Sequence, residues 1–330
     1  MSKVRWLLVG AGDIARKRVA PALAAVSDSE IAAVCDARRD EAAALAEEFG
    51  SCECFSDFDQ ALSGSPADAV YIATPVWLHA SQAVAALNAG RHVLVEKPLG
   101  LNAAGCAVVT KAARLSGRNA ACVYFRRFYP RYAHLKQVLE RGELGRVVSV
   151  RMTYYSWFDP TPDDPKYWRV IRSRSGGGPL SDMGTHMFDV LIGLFGMPTS
   201  VFAKCDTLAH DWEVEDSASV IMTLKDGAQV TGGFGWNSRT WRHEFEVVGT
   251  EAKINWLPYD SGSVVKTVGR NAENLDLPCA GNVHQPLVED FVQSVVSGRP
   301  PKYSIAESAK ANTLLDAIYQ SAGEGREVRL

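Results

Sequence analysis

The feature that most constrains this chain is the alternation in its N-terminal third. Short, continuously apolar runs alternate with Ala-rich stretches of helical length. The apolar runs are VRWLLVG (Val4 to Gly10), IAAVCD (Ile31 to Asp36), AVYIATP (Ala69 to Pro75), HVLVEKP (His92 to Pro98) and NAACVYF (Asn119 to Phe125). A strand that is apolar on both faces needs cover on both faces. Helical crossovers give that cover and keep successive strands parallel. This part of the chain is therefore expected to be an α/β layer around a parallel sheet. Gly50 is expected to close the helix DEAAALAEEFG, and Pro21 to sit at a kink in RKRVAPALAAV.

The pattern changes near Tyr124. A helix is expected from Ala133 to Arg141. The segments RVVSVRMTYYSWF, SASVIMTLKDG, AQVTGGFGW and HEFEVVGTEAKINW then alternate apolar and polar residues, as strands with one buried face do. Asp226-Gly227 between two of them is a two-residue hairpin signal. A second, α+β domain with an open, mostly antiparallel sheet is expected, with helices over Glu289 to Val296 and Ser304 to Gly325. The expected division is residues 1–123 and residues 124–330, with the helix 304–325 a candidate to pack back on the first domain.

Charge narrows the class of partner. There are 35 Lys and Arg against 38 Asp and Glu, a net charge of −3. No positive excess is there to meet a nucleic acid or an anionic membrane. No apolar run approaches the roughly 18 residues of a membrane-crossing helix. The segment MSKVRWLLVGAGD places Lys3 and Arg5 ahead of an apolar run, but that run stops at Gly10 and reads as a strand rather than a leader. Seven cysteines are scattered without a CxxC pair, and Cys52 and Cys54 are too close for ordinary disulfide or zinc spacing. Reduced thiols and a cytoplasmic location are expected.

Three motifs carry chemistry. The first is GAGDIA, Gly10 to Ala15, between a strand and a helix. Gly10 allows the tight turn, Gly12 lets backbone N–H groups approach a pyrophosphate, and Ala15 allows close helix–sheet packing. Asp13 and Ile14 complete the turn. Asp36, at the end of the next strand, suits the ribose hydroxyls of NAD and would repel a 2′-phosphate. Arg38 and Arg39 follow it, either as a clamp for that phosphate or as solvated loop charges. NAD is the expected cofactor and NADP the alternative. The second motif lies at two strand ends, where open α/β sheets bind ligands. These carry Thr74, Pro75 and His79, and Glu96, Lys97 and Pro98. A lysine at a strand end can serve proton transfer, and the competing reading is a surface ion pair. The third is GGGPLSDMGTHMFDVL, Gly176 to Leu191. Ser181 is expected to cap its helix. Asp182, His186 and Asp189 fall at i, i+4 and i+7 on one stripe, opposite Met183, Met187, Val190, Leu191 and Leu194. A histidine behind a carboxylate is a general-base arrangement. A solvated helix face and a metal site are the other readings, and no third metal ligand is evident, so no metal is expected.

Together these segments resemble the Gfo/Idh/MocA family, the group of glucose–fructose oxidoreductase and inositol dehydrogenase. The resemblance extends over YWRV, the VVGTEA turn and DAIYQSAGEG. It implies an N-terminal Rossmann domain, a C-terminal domain with an open sheet, a nicotinamide cofactor between them, and homodimers or homotetramers formed through the sheet faces. It implies hydride transfer between NAD(P) and a secondary alcohol or ketone of a sugar, polyol or cyclitol. An NAD-dependent glycosidase or lyase, or a non-catalytic sugar-responsive regulator, is the alternative on the same fold. Lys97, Asp182 and His186 match the catalytic lysine, aspartate and histidine. Glu96 matches a residue near the nicotinamide ribose, and Trp168 and Arg169 match a pair near cofactor and substrate. Tyr124, Arg126 and Arg127 occupy the stretch that varies with substrate. Many members read T-P-N-x-x-H. Val76 replaces that Asn here, which removes a polar contact near the cofactor.

Overall fold

A computed structural model describes residues 3–50 and 53–330, so Cys52 lies outside the described residues. The chain divides into two compact units. One comprises Met1–Phe125 and Ala280–Ala309, the other Arg126–Cys279 and Lys310–Leu330.

The first unit is built on six parallel strands: β1 Val4–Val9, β2 Ser29–Cys35, β3 Glu53–Phe55, β4 Ala69–Ile72, β5 His92–Val95 and β6 Ala120–Cys122. Their order across the sheet is β3-β2-β1-β4-β5-β6. The order reverses between β1 and β4, the switch point at which such sheets bind ligands. Leu7, Leu8, Val34, Val70, Ile72, Val93 and Leu94 are fully buried, as strands covered on both faces require. Helices end where glycine takes positive φ, at Gly50 (73°) and Gly90 (75°). Pro21 sits in the first turn of the helix Ala20–Ala25, directly after a π-helical turn over Ala15–Val19. The wider turn accommodates a residue that lacks an N–H.

The expected boundary needs revision at one place. Residues 280–309 belong with the first unit, not with everything after residue 124. The reason is the apolar stripe Leu287, Val288, Phe291 and Val292 of the helix Gln285–Ser297, which packs on β1. Phe291 meets Trp6 at 5.7 Å between ring centroids. The helix Ile305–Glu324 runs from one unit into the other, changing at residues 309 and 310.

The second unit carries nine strands: β7 Val147–Trp157, β8 Ser200–Asp206, β9 Ser217–Thr223, β10 Gln229–Gly235, β11 Asn237–Gly249, β12 Ala252–Leu257, β13 Ser263–Val268, β14 Asn271–Leu275 and β15 Val328–Arg329. The order is β14-β13-β12-β11-β7-β10-β9-β8-β15, antiparallel except for β10 beside β7. The hairpin at Asp226-Gly227 joins β9 to β10, with Gly227 at φ 88°. One sheet face packs on the helix Thr185–Phe195, where Phe188 meets Phe234 edge-on at 5.5 Å.

Candidate active site

In the first unit the chain leaves β1 at Gly10 with φ +96°, and a Cβ there would lie 2.7 Å from the carbonyl oxygen of Ala73. Only glycine allows the ends of β1 and β4 to approach so closely. At Gly12 a Cβ would meet nothing within 4 Å, so the space before the turn is open. The Arg16 N–H returns to the Gly12 carbonyl at 3.1 Å and starts the helix. Open space at a helix N-terminus fits a pyrophosphate, because the first-turn N–H groups and the helix dipole both favour an anion. Ala15 is fully buried, as the third position of the motif needs. Ile14 is exposed and Asp13 accepts from the Lys17 ammonium at 2.9 Å.

Asp36 braces this turn. Its Oδ2 accepts the Ala11 N–H at 2.8 Å and its Oδ1 accepts the Arg38 N–H at 2.9 Å. The Arg38 guanidinium is exposed and lies 3.3 Å from Glu41, and Arg39 opens the helix Arg39–Glu48.

The two strand ends are more committed than the sequence suggests. Thr74 Oγ1 donates to Gln82 at 2.7 Å. His79, expected beside the cofactor, is buried with Nδ1 2.8 Å from the Pro98 carbonyl and Nε2 2.7 Å from the Thr74 carbonyl. It ties the turn after β5 to the end of β4, and burial pushes its pKa down. Pro75 precedes the helix Val76–Asn88, and Val76 is buried in its first turn. Glu96 points inward. Its Oε1 accepts from the Tyr71 hydroxyl at 2.9 Å and from His284 Nε2 at 3.2 Å. Burial alone would push this carboxyl up, yet His284, Tyr71 and Lys97 hold it below the usual range. Lys97 follows, half-buried, at a cis peptide bond with Pro98.

In the second unit the glycine run gives way to a π-helical turn, Leu180–Gly184, that continues into the helix Thr185–Phe195. Ser181 does not cap it. The residue lies inside the turn and its hydroxyl donates to the Ser175 carbonyl at 3.0 Å. The turn is set by Glu215, whose Oε1 accepts the N–H groups of Gly178 at 3.0 Å and Leu180 at 3.3 Å. Tyr319 donates to the same oxygen at 2.9 Å. A Cβ at Gly177 would strike the Tyr319 hydroxyl, and one at Gly178 the Glu215 carbonyl. Bulk, not flexibility, explains these glycines. Burial pushes the Glu215 carboxyl up despite these donors.

The stripe Asp182, His186 and Asp189 divides. Asp182 is half-buried and His186 is 3% exposed, so this is no solvated face. Asp189 turns away to Arg127, with Nη2 2.9 Å from Oδ1 and Nε 2.9 Å from Oδ2. Of the three residues expected to vary with substrate, Arg127 is therefore held inside the unit. Arg126 is likewise bidentate to Asp260, at 2.6 and 2.9 Å, and Tyr124 is buried. Trp168 and Arg169 form a stacked pair, the guanidinium 4.4 Å from the ring centroid. Among the described residues no three His, Cys, Asp or Glu side chains are grouped as a metal would need.

Burial alone would push the Asp260 carboxyl up, but Arg126 and His243 hold it well below the ordinary range. A depressed folded pKa means stability that is present above the unfolded value of about 3.9 and is lost as pH falls through the folded one. Thermal melts of wild type and Asp260→Asn between pH 6 and pH 3 should differ in slope, the variant losing less stability on acidification. Parallel slopes would contradict this reading.

Sequence reasoning missed His284, Tyr71, Asp260, Glu215 and Tyr319. Each acts on a residue far away in the chain, so no local spacing marks it. Gly177 and Gly178 before Pro179 were the visible sign that something bulky lies against that segment.

Residues 4–125 match the family described as "Oxidoreductase family, NAD-binding Rossmann fold", and residues 132–255 match the "GFO/IDH/MocA C-terminal domain". The chain is 28% identical to D-xylose 1-dehydrogenase (NADP(+)) 2 of Haloferax volcanii, over 98% of this chain and 98% of that protein. It is similar in structure to the aldose-aldose oxidoreductase from Caulobacter crescentus complexed with glycerol, with TM-score 0.91, 25% identity and coverage of 99% and 100%. A levoglucosan dehydrogenase in complex with NADH and L-sorbose shares the fold at TM-score 0.90 and 24% identity, with coverage of 100% and 99%.

Proposed function

The chain belongs to the Gfo/Idh/MocA family of NAD(P)-dependent oxidoreductases, and from that premise we propose that it moves hydride between NAD and a secondary alcohol or ketone of a sugar, polyol or cyclitol. The observation that carries this reading is the open glycine turn of the first unit, braced by Asp36 at the start of a helix. The xylose and aldose chemistry in the names of the relatives supports a sugar as the substrate.

The turn Gly10 to Ile14 would hold the pyrophosphate and Asp36 the adenosine ribose, with Trp168 and Arg169 serving cofactor and substrate. When bound, the nicotinamide ring accepts the hydride or returns it. His186 takes the proton of the reacting hydroxyl as general base, and Asp182 orients it and stabilises its charged form. Lys97 donates a hydrogen bond to a substrate oxygen and stabilises negative charge that develops on it. In reduction each proton moves the other way.

Asp36 favours NAD because a 2′-phosphate would meet its carboxylate. Replacing Asp36 with Ala should weaken NADH binding at least tenfold, about 1.4 kcal/mol, and NADPH binding less. Titration of tryptophan quenching with each cofactor measures this. Equal losses for both would leave Asp36 a brace for the turn and nothing more.

The function itself is tested in two steps. Thermal stabilisation by NAD, NADH, NADP and NADPH comes first, and the NAD pair should stabilise most. Absorbance of the reduced ring is then followed with D-xylose, D-glucose and levoglucosan. No stabilisation by any cofactor would overturn the proposal. We propose that self-association uses the outer face of the nine-stranded sheet, where the paired residues Phe202 and Ile221 are exposed.

A further inference from the structure

We propose that His284 is a positioning residue for Lys97, acting through the buried carboxylate of Glu96. The proposal rests on the functional reading above only for what Lys97 does. The coupling itself stands on the geometry of the first unit.

His284 lies 188 residues beyond Glu96 in the chain, yet its Nε2 is 3.2 Å from Glu96 Oε1. Both residues are buried, at 2% and 7% exposure. The residue is anchored through its backbone, and its ring is packed on one side. Its carbonyl accepts the N–H groups of Leu287 and Val288 at the start of the helix Gln285–Ser297. Its backbone N–H donates to Asn282 Oδ1 at 3.1 Å, and Asn282 in turn donates to the Arg18 carbonyl at 2.7 Å. Its ring packs against Phe125 with centroids 4.7 Å apart. The anchored backbone and the packed ring present one nitrogen, Nε2, to Glu96.

The recipient is the residue before Lys97. Glu96 Oε1 also accepts from Tyr71, and Oε2 accepts the Lys97 N–H at 3.3 Å. The charged and titratable groups near the carboxylate include His284, Tyr71, Lys97 and, behind the Pro98 carbonyl, His79, with Cys122 donating to the Glu96 carbonyl. A buried carboxylate that loses a donor exerts a stronger field on its remaining neighbours. With His284 in place, the negative charge of Glu96 is partly spent inward. Without it, that charge falls on the Lys97 ammonium, which is held more tightly and is less available to a substrate oxygen.

The test needs no substrate. Each protein is treated at pH 8 with an amine-acylating reagent, and labelling of every lysine is read by peptide mass spectrometry. Lys97 of His284→Leu should label about threefold more slowly than wild type. His284→Gln, whose amide can donate in place of Nε2, should restore the rate. Exposed Lys17 should label equally in all three. Should His284→Leu fail to fold, His284→Asn replaces it, because its shorter amide cannot reach Glu96, and it should label as slowly. An unchanged Lys97 rate in folded His284→Leu or His284→Asn would overturn the proposal. So would equal slowing in His284→Gln, or parallel changes at Lys17. Coupling seen in a protein without sugar turnover would uphold this inference and sink the functional one.

Discussion

His186→Ala and Lys97→Ala should each lower turnover by roughly two to four orders of magnitude while leaving NADH binding within a few-fold of wild type. The two losses have different origins. In the proposed mechanism His186 takes the proton, so its removal takes away the general base. Lys97 is proposed to act on charge that develops in the transition state, so its removal should lower kcat with little change in substrate KM. Asp182→Asn keeps the shape of the turn but takes away the charge that favours a protonated imidazole, and it should fall between wild type and His186→Ala. Steady-state kinetics on the best sugar from the screen, with thermal melts to show that each variant folds, measure all three. Near-normal turnover in both alanine variants would remove the general-base assignment, and the oxidoreductase would then need another proton path.

Elements that repeat, or that sit next to their partners in the chain, were legible in the sequence. The parallel sheet could be read because five strands share one continuously apolar grammar, which only two-sided burial explains. β3 could not, since Glu53–Phe55 is three residues long, half-exposed and at the sheet edge. The glycine turn was legible because turn, helix start and strand adjoin in the chain. The return of residues 280–309 to the first unit was not. The stripe Leu287, Val288, Phe291 and Val292 announces a buried helix face, but nothing in it names β1 as the surface it covers. The same limit hid the inward role of Glu96, whose partners Tyr71 and His284 lie 25 and 188 residues away.

Helical spacing gave a subtler error at Asp189. A stripe of i, i+4 and i+7 assumes regular α geometry, and it puts Asp182, His186 and Asp189 together. The π-helical turn over Leu180–Gly184 shifts the phase of Asp182 relative to the helix Thr185–Phe195. Asp189 instead pairs with Arg127, and that pair has its own signature in the fold. Gly193, one turn further on, is glycine because a Cβ there would lie 2.7 Å from the Arg127 guanidinium and 2.5 Å from the Tyr132 hydroxyl. The helix leaves a notch, and Arg127 fills it.

That notch sets the largest stability effect expected in the molecule. Arg127 and Asp189 are each about 3% exposed and share paired contacts between their side chains. Arg127 also donates to the Asp189 carbonyl at 2.7 Å. Removing one partner leaves the other charged and desolvated, which costs about 3–5 kcal/mol. Asp189→Asn and Arg127→Met should each destabilise the second unit by that amount in urea or thermal unfolding. The double variant Arg127→Met with Asp189→Leu should recover a large share, because no stranded charge remains and the replacements are apolar and of similar volume. A single-variant loss under about 1 kcal/mol would mean that water reaches the pair and that the notch is not sealed. Full additivity in the double variant would mean that the two side chains act separately. The carbonyl contact, rather than the ion pair, would then be what Arg127 contributes.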